Sequence, residues 1–114
     1  MEPECIFCKI YSGELPSDIL YSDRLCFVVR DIQPVAPSHL LVIPIRHVTF
    51  LDEVEDDEFD LVAQMFKTAV SIAAEEGISQ SGYRLVVNQR DNSGQVVPHL
   101  HLHVLGGDRL GVIG

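Results

Sequence analysis

The sequence predicts an α+β fold, one long amphipathic helix and a short N-terminal helix beside about five mostly antiparallel strands. Three observations carry this. Between about Asp56 and Glu76, apolar residues recur at steps of three and four, the spacing of one helical face. Short runs rich in β-branched and aromatic residues, each bounded by turn formers, fill much of the remainder. The 114 residues are 46% hydrophobic and 22% charged, the balance of an ordinary globular protein, and they fit one domain spanning 1–114.

The elements follow in order. CIFCKIYSG (5–13) suits a short helical turn ended by Gly13. DILYSD (18–23) and RLCFVVRDI (24–32) are expected as two strands joined by a tight turn around Ser22 and Asp23. QPVAPS (33–38) is a loop, because its two prolines forbid both a helix interior and a central strand. HLLVIPI (39–45) is a nearly continuous apolar run, as in a strand buried on both faces. In the long helix, Phe59, Val62, Phe66, Ala69 and Ala73 form one apolar stripe. Acidic residues crowd its start, where the helix dipole favours them, and Gly77 follows its end as a C-cap. YRLVVN (83–88) is a strand, QRDNSGQ (89–95) a polar turn, VVPHLHLHVL (96–105) the last strand, and GGDRLGVIG a loop-like tail.

Charge and cysteine content narrow the function classes. A net charge of −9 repels polyanions, which argues against polymeric nucleic acid and anionic membranes as partners. A small anionic ligand stays open if a local donor cluster overrides that field. DEVEDDEFD (52–60), which carries much of the acidity, is expected as a solvated helix start. No apolar run approaches the ~20 residues of a membrane helix, and MEPECIFCKI lacks the pattern of a secretory signal, so the cytoplasm is expected. Three cysteines without an export signal do not suggest a disulfide scaffold.

The sharpest feature is PHLHLHVLGG (98–107), which sets three of the chain's five histidines in strict alternation. On a strand, His99, His101 and His103 share one face while Leu100, Leu102 and Val104 pack under the helix on the other. The imidazole face is then not the main apolar core. A histidine-rich solvated face is the plainest account. One metal held by all three rings is disfavoured, since neighbours two apart on a strand stand about 6.6 Å apart and the outer pair about 13 Å. A single zinc needs every ligand nitrogen at about 2.0–2.1 Å. The third account is a row laid along an anionic group, where neutral imidazole attacks and protonated imidazole donates. Polar groups at Asn88, Ser93, Gly94 and Gln95 support that account.

HLHLHVL fits His-Φ-His-Φ-His-Φ-Φ, and GQ before it and LGG after it extend the match. With CIFCKI, GELPS, RDIQPVAPSHLLVIPIRH and GYRLVVN upstream, the chain resembles the histidine triad (HIT) superfamily over nearly its whole length, in particular the branch of histidine triad nucleotide-binding proteins. The resemblance implies a HIT-like fold and a hydrolase acting on purine nucleoside phosphoramidates or acyl-nucleotides. It implies that His101 attacks the α-phosphorus to form a nucleotidyl-histidine, and that His103 contacts the phosphate oxygens. It also implies that His99 and His39 hold the nucleophile's ring and tautomer. Asn88 and the backbone of Gly94 and Gln95 match the phosphate loop, Asp31 the carboxylate that receives the ribose hydroxyls, and Ile6, Phe7, Ile10 and Ile32 the base pocket. From the residues alone, Asp31 also suits a turn cap, Asn88 a turn partner and the apolar four plain core.

Other implications concern departures, metal and assembly. Val96 stands where nucleotide-binding members usually carry a hydroxyl, Pro98 replaces a residue that is usually aromatic, and the tail lacks the tryptophan of eukaryotic members. Proline removes a ladder donor, so the strand near Pro98 should be unpaired or at an edge. In part of the superfamily a C-x-x-C pair joins two histidines in a structural zinc site, which here matches Cys5, Cys8, His47 and His99. Buried small residues or a redox pair are the alternatives. Related members pair through the long helix and an edge strand, which implies a homodimer. A dinucleoside polyphosphate hydrolase is the rival enzyme, though the extra glutamine of that branch is absent. A nucleotide-binding regulator with weak catalysis and a zinc-dependent interaction module are the rivals from other classes.

Overall fold

The computed structural model describes residues 4–113. Its elements are α1 (Ile6–Ser12), β1 (Tyr21–Ser22), β2 (Cys26–Arg30), β3 (Ser38–Pro44), α2 (Asp60–Glu75), β4 (Tyr83–Val86) and β5 (Leu102–Gly106), with single 3-10 turns at Leu51–Glu53, Asp56–Glu58 and Asp91–Ser93. All strands pair antiparallel in one sheet of order β1-β2-β3-β5-β4. The apolar run of β3 lies at its centre, as its continuous hydrophobicity demands, and Leu40 through Pro44 are buried. The β1–β2 turn is closed by Asp23, whose Oδ1 accepts the N–H groups of Leu25 and Cys26 at 2.8 and 2.7 Å.

The alternation of side chains divides the interior into two cores. Cys26 and Val28 of β2, Leu40 and Val42 of β3, and Leu102 and Val104 of β5 meet Leu61, Met65, Ala69, Ile72 and Ala73 of α2. On the opposite face, Phe27, Val29, Leu41 and Ile43 meet Cys5 at the start of the short N-terminal helix and Phe7 and Cys8 within it. Gly106 allows the end of this assembly to close: a Cβ there would stand 2.8 Å from Ile78 Cδ1.

Three expectations need correction. The helix buries a different stripe: Ala69 and Ala73 face the sheet, but Phe59 and Phe66 are each 43% exposed. Apolar residues occupy two faces of α2, and a step of three or four fits both. The helix also begins later, because Asp56–Glu58 forms a 3-10 turn. It ends as expected, with Gly77 in the left-handed region (φ 75°) and Ile78 N–H bonded to Ala73 O at 3.0 Å. The last strand is shorter than 96–105. Pro98 has no N–H, and Leu100 donates to Val48 O at 2.6 Å rather than to a ladder neighbour, so regular pairing starts only at Leu102. His99 and His101 therefore precede the strand instead of lying on it.

Candidate active site

The N-terminal face of the sheet carries a cleft of about 460 Å³. His101, His103 and His39 line it with Asp31 and Asn88, and Ile6, Phe7, Ile10 and Ile32 flank them. Its floor is built from Val29, Leu41, Val86 and Leu105, which the sequence reading did not single out. They are strand residues on the face away from α2, so the alternation that places His103 also selects them.

The imidazole face is more enclosed than expected. His99 is fully buried and His101 is 7% exposed. Phe7 explains this, because its ring sits edge-on to both, with centroids 5.7 Å from His99 and 5.1 Å from His101. The segment's departure from a flat strand also brings the His101 and His103 ring centroids to 4.9 Å.

Main-chain groups fix the tautomers of His101, His99 and His39, because a carbonyl can only accept and an N–H can only donate. His101 Nδ1 lies 2.7 Å from His99 O, so Nδ1 carries the hydrogen and Nε2 keeps a lone pair. His99 Nε2 lies 2.8 Å from Pro44 O, which leaves its Nδ1 lone pair facing the Cys5 thiol at 3.1 Å. The N–H of Val35 donates to His39 Nδ1 at 3.1 Å, so His39 carries its hydrogen on Nε2. That Nε2 stands 2.9 Å from His103 Nδ1 and 3.3 Å from Asp31 Oδ2. Donation to His103 puts the His103 hydrogen on Nε2. His39 thus reaches His103 and not the ring of His101, which corrects the expectation for that residue.

Burial is the main cause of the histidine titration behaviour. It holds His103 down to about 4, with the neighbouring His101 and His39 adding to it and Asp31 opposing it. His99 falls to about 4 chiefly by burial. His101 and His39 are lowered by burial too, with partial compensation from the His99 carbonyl and Asp31 for the first and from Asp31 for the second. At neutral pH the cleft therefore holds neutral imidazoles.

Two groups could hold a metal ion by proximity: Cys5, Cys8, His47 and His99, and Asp31, His39 and His103. Only the first has the chemistry. Its thiols lie 3.1 and 3.7 Å from His99 Nδ1, and Cys8 Sγ is 3.4 Å from His47 Nδ1. Two sulfurs and two nitrogens are the donors of a tetrahedral site. In the second group, His39 Nε2 bears the hydrogen and has no lone pair for a cation.

The remaining candidates divide. Asp31 is both cap and site residue: Oδ1 accepts the Gln33 N–H at 2.8 Å while Oδ2 faces His39. Ile32 is at the mouth of the cleft and 86% exposed, so it is not core. The Gly94 and Gln95 N–H groups are bonded inside their own loop, to Asp91 O at 3.0 Å and Arg90 O at 3.3 Å. Gln95 lines a neighbouring groove and not the cleft. The phosphate-loop expectation for these two N–H groups is thus not met. Val96 and Val97 do line the cleft, and their N–H groups have no protein acceptor among the described residues.

The sequence model of the HIT domain matches residues 12–110. The chain belongs to the HIT domain family. Among HIT relatives, the purine nucleoside phosphoramidase of Escherichia coli (strain K12) is 43% identical over 111 residues, which is 97% of this chain and 93% of that protein. A histidine triad protein from Clostridium difficile superposes with a TM-score of 0.94 at 39% identity, covering 100% of this chain and 99% of the other. A HIT family hydrolase from Legionella pneumophila gives a TM-score of 0.90 at 44% identity, covering 95% and 96%. The five-stranded antiparallel sheet with its two helices is the fold of these HIT structures.

The depressed histidines make stability depend on pH. An unfolded histidine binds a proton near 6.5, whereas His103 and His99 in the fold resist one until about 4. The unfolded chain takes up more protons in this window, so stability is complete above about 6.5 and falls as pH drops toward 4. Thermal melts between pH 7.5 and 4.5 should show this decline, and His103→Gln should flatten part of it. A melting temperature constant across the window would contradict the assignment.

Proposed function

We propose that the protein is a nucleotidyl hydrolase that cleaves purine nucleoside phosphoramidates or acyl-nucleotides to the nucleoside monophosphate, through a nucleotidyl intermediate on His101. One observation carries this: the His101 Nδ1–H is fixed on a carbonyl at 2.7 Å, which leaves a neutral Nε2 lone pair at an enclosed cleft. The high identity to a purine nucleoside phosphoramidase along nearly the whole chain supports the substrate class.

The chemistry follows from the tautomers. Nε2 of His101 attacks the α-phosphorus, the bond to the leaving nitrogen or acyl oxygen breaks, and that atom departs with the electron pair. The His99 carbonyl stabilises the positive charge that grows on the ring. His103, with its hydrogen on Nε2, donates to a phosphoryl oxygen, and His39 keeps His103 in that form. Asn88 and the free N–H groups of Val96 and Val97 supply further donors. Asp31 offers Oδ2 to the ribose, and Ile6, Phe7, Ile10 and Ile32 enclose the base. Water then attacks phosphorus and releases His101. The rival reading as a regulator rests on Val96, which lacks the usual hydroxyl, but the Val96 main chain still offers a donor.

Zinc is proposed for Cys5, Cys8, His47 and His99, whose donor set fits it. A bound ion would tie α1 to the segment that carries His101, a structural role outside the reaction. The cytoplasm suits this pair, because free thiols stay reduced there. A homodimer is proposed from the apolar face of α2, where Phe59, Phe66 and Val70 are exposed, and from β4, whose outer edge is unpaired among the described residues.

Intact-mass analysis during turnover tests the mechanism: a nucleoside monophosphate adduct should appear on the wild type and vanish in His101→Ala. Losing the nucleophile of a covalent hydrolase can cost about 10⁶-fold in kcat, whereas His103→Ala should cost about 10²–10³ and His39→Gln less. An adduct that persists in His101→Ala would refute the mechanism. Elemental analysis without added metal should find about one zinc per chain, and none, with both thiols freely reactive, would assign Cys5 and Cys8 to packing alone. Sedimentation should give twice the 12.7 kDa of one chain, and Phe66→Lys should shift it toward that single mass.

A further inference from the structure

Cys5 and Cys8 flank Phe7, which lines the cleft. Cys5 is the N-cap of α1 and Cys8 stands in its first turn, where its N–H donates to Cys5 Sγ at 3.4 Å. The two Sγ atoms lie within 4.8 Å of each other. Cα atoms three residues apart on a helical turn stand about 5 Å apart, inside the roughly 4.4–6.8 Å that a disulfide spans. Both thiols are free and buried, Cys5 at 5% exposed and Cys8 at 2%. The pair therefore has the spacing of a disulfide without the bond.

The neighbours of these sulfurs connect them to the cleft. Cys5 Sγ faces the His99 Nδ1 lone pair at 3.1 Å, and Cys8 Sγ stands 3.7 Å from the same atom. The carbonyl of that histidine holds His101 Nδ1 at 2.7 Å. Phe7 rests edge-on against the His99 and His101 rings and lines the cleft beside Ile6 and Ile10 of the same helix. A new bond at sulfur thus reaches the apolar wall through Phe7 and His101 through His99. The third thiol, Cys26, is fully buried on the other face of the sheet, in the core under α2.

We propose that Cys5 and Cys8 form a redox modification site, which a small hydroperoxide oxidises to a disulfide that weakens nucleotide binding in the cleft. The weakening rests on the nucleotide reading above; the disulfide rests on the thiol pair alone. Cys5 Sγ, the more exposed sulfur, attacks a peroxide oxygen and the O–O bond breaks. The departing hydroxide or alkoxide takes the thiol proton and leaves as water or alcohol. Cys8 Sγ then attacks the sulfenic sulfur, the S–O bond breaks, and the expelled hydroxide leaves as water with the Cys8 proton. Two electrons pass from the thiols to the peroxide. The bond draws the sulfurs to about 2 Å from each other, removes the thiol hydrogen facing His99, and leaves no thiolate to ligate a cation. Burial selects the oxidant, because hydrogen peroxide is nearly as small as water, whereas a bulky disulfide cannot line up with so enclosed a sulfur.

The test treats the full-length protein with hydrogen peroxide. Its intact mass should fall by two hydrogens, with the link mapped to Cys5 and Cys8 and with Cys26 still open to alkylation after denaturation. Adenosine 5′-monophosphate should bind the oxidised form about tenfold more weakly, the scale of losing a partner that orients a site histidine. Dithiothreitol with zinc should restore the affinity. In Cys8→Ala the reaction should stop at a sulfenic acid on Cys5, one oxygen heavier and captured by dimedone; should that variant not fold, the mapping on the wild type decides. Absence of the Cys5–Cys8 link overturns the modification site, and oxidised glutathione forming it as fast as peroxide does overturns the assigned oxidant. A link that leaves the affinity within about twofold overturns its effect on the cleft. If the reduced protein binds no nucleotide, the nucleotide reading falls and that effect with it, while a mapped link still upholds the modification site.

Discussion

The contact on which the cleft depends is the 2.7 Å hydrogen bond from His101 Nδ1 to the carbonyl of His99. It decides which nitrogen faces the cleft, and it exists because the chain between residues 98 and 101 is not engaged in the ladder. A carbonyl paired with a neighbouring strand would serve that strand first. Pro98, which cannot donate, and Val48, which captures the Leu100 N–H, keep this short stretch out of the sheet. The departure from regular pairing thus leaves the His101 Nε2 lone pair turned to the cleft.

The sheet supplies the rest by register. His39 opposes Leu105 and His103 opposes Leu41 on the adjoining strands, so the two histidines are diagonal neighbours on one face. That places a hydrogen-bearing nitrogen of one against a lone pair of the other. On the reverse face the same two strands pack Leu40, Val42, Leu102 and Val104 under α2. One alternation therefore serves stability and chemistry at once, and a slip of one residue would exchange them.

Much of this was legible in the sequence. The apolar run of β3, the alternation around His103, the helix ending at Gly77 and the short helix before Gly13 are all local patterns, and each lies where its pattern placed it. The failures share a cause: each depends on which distant group a residue meets. Phe59 and Phe66 satisfy helical spacing as well as Leu61 and Met65 do, and only the sheet decides between the two faces. His39 matches a position expected to serve His101, but strand register hands it to His103. The N–H groups of Gly94 and Gln95 match a phosphate loop by sequence, but the carbonyls of Asp91 and Arg90 accept them. No spacing rule reveals a main-chain partner, and four histidines here take their tautomers, directly or through a neighbouring ring, from such partners.

The fixing of these rings by backbone atoms has a further consequence. A carbonyl or an N–H belongs to every residue type, except that proline has no N–H, so the groups at Val35, Pro44 and His99 survive nearly any side-chain exchange at those sites. The proton inventory of the cleft is written in the covalent chain and not in its variable parts. Loops around it can then change composition, as at Val96, while the placement of hydrogens on the rings stays as it was.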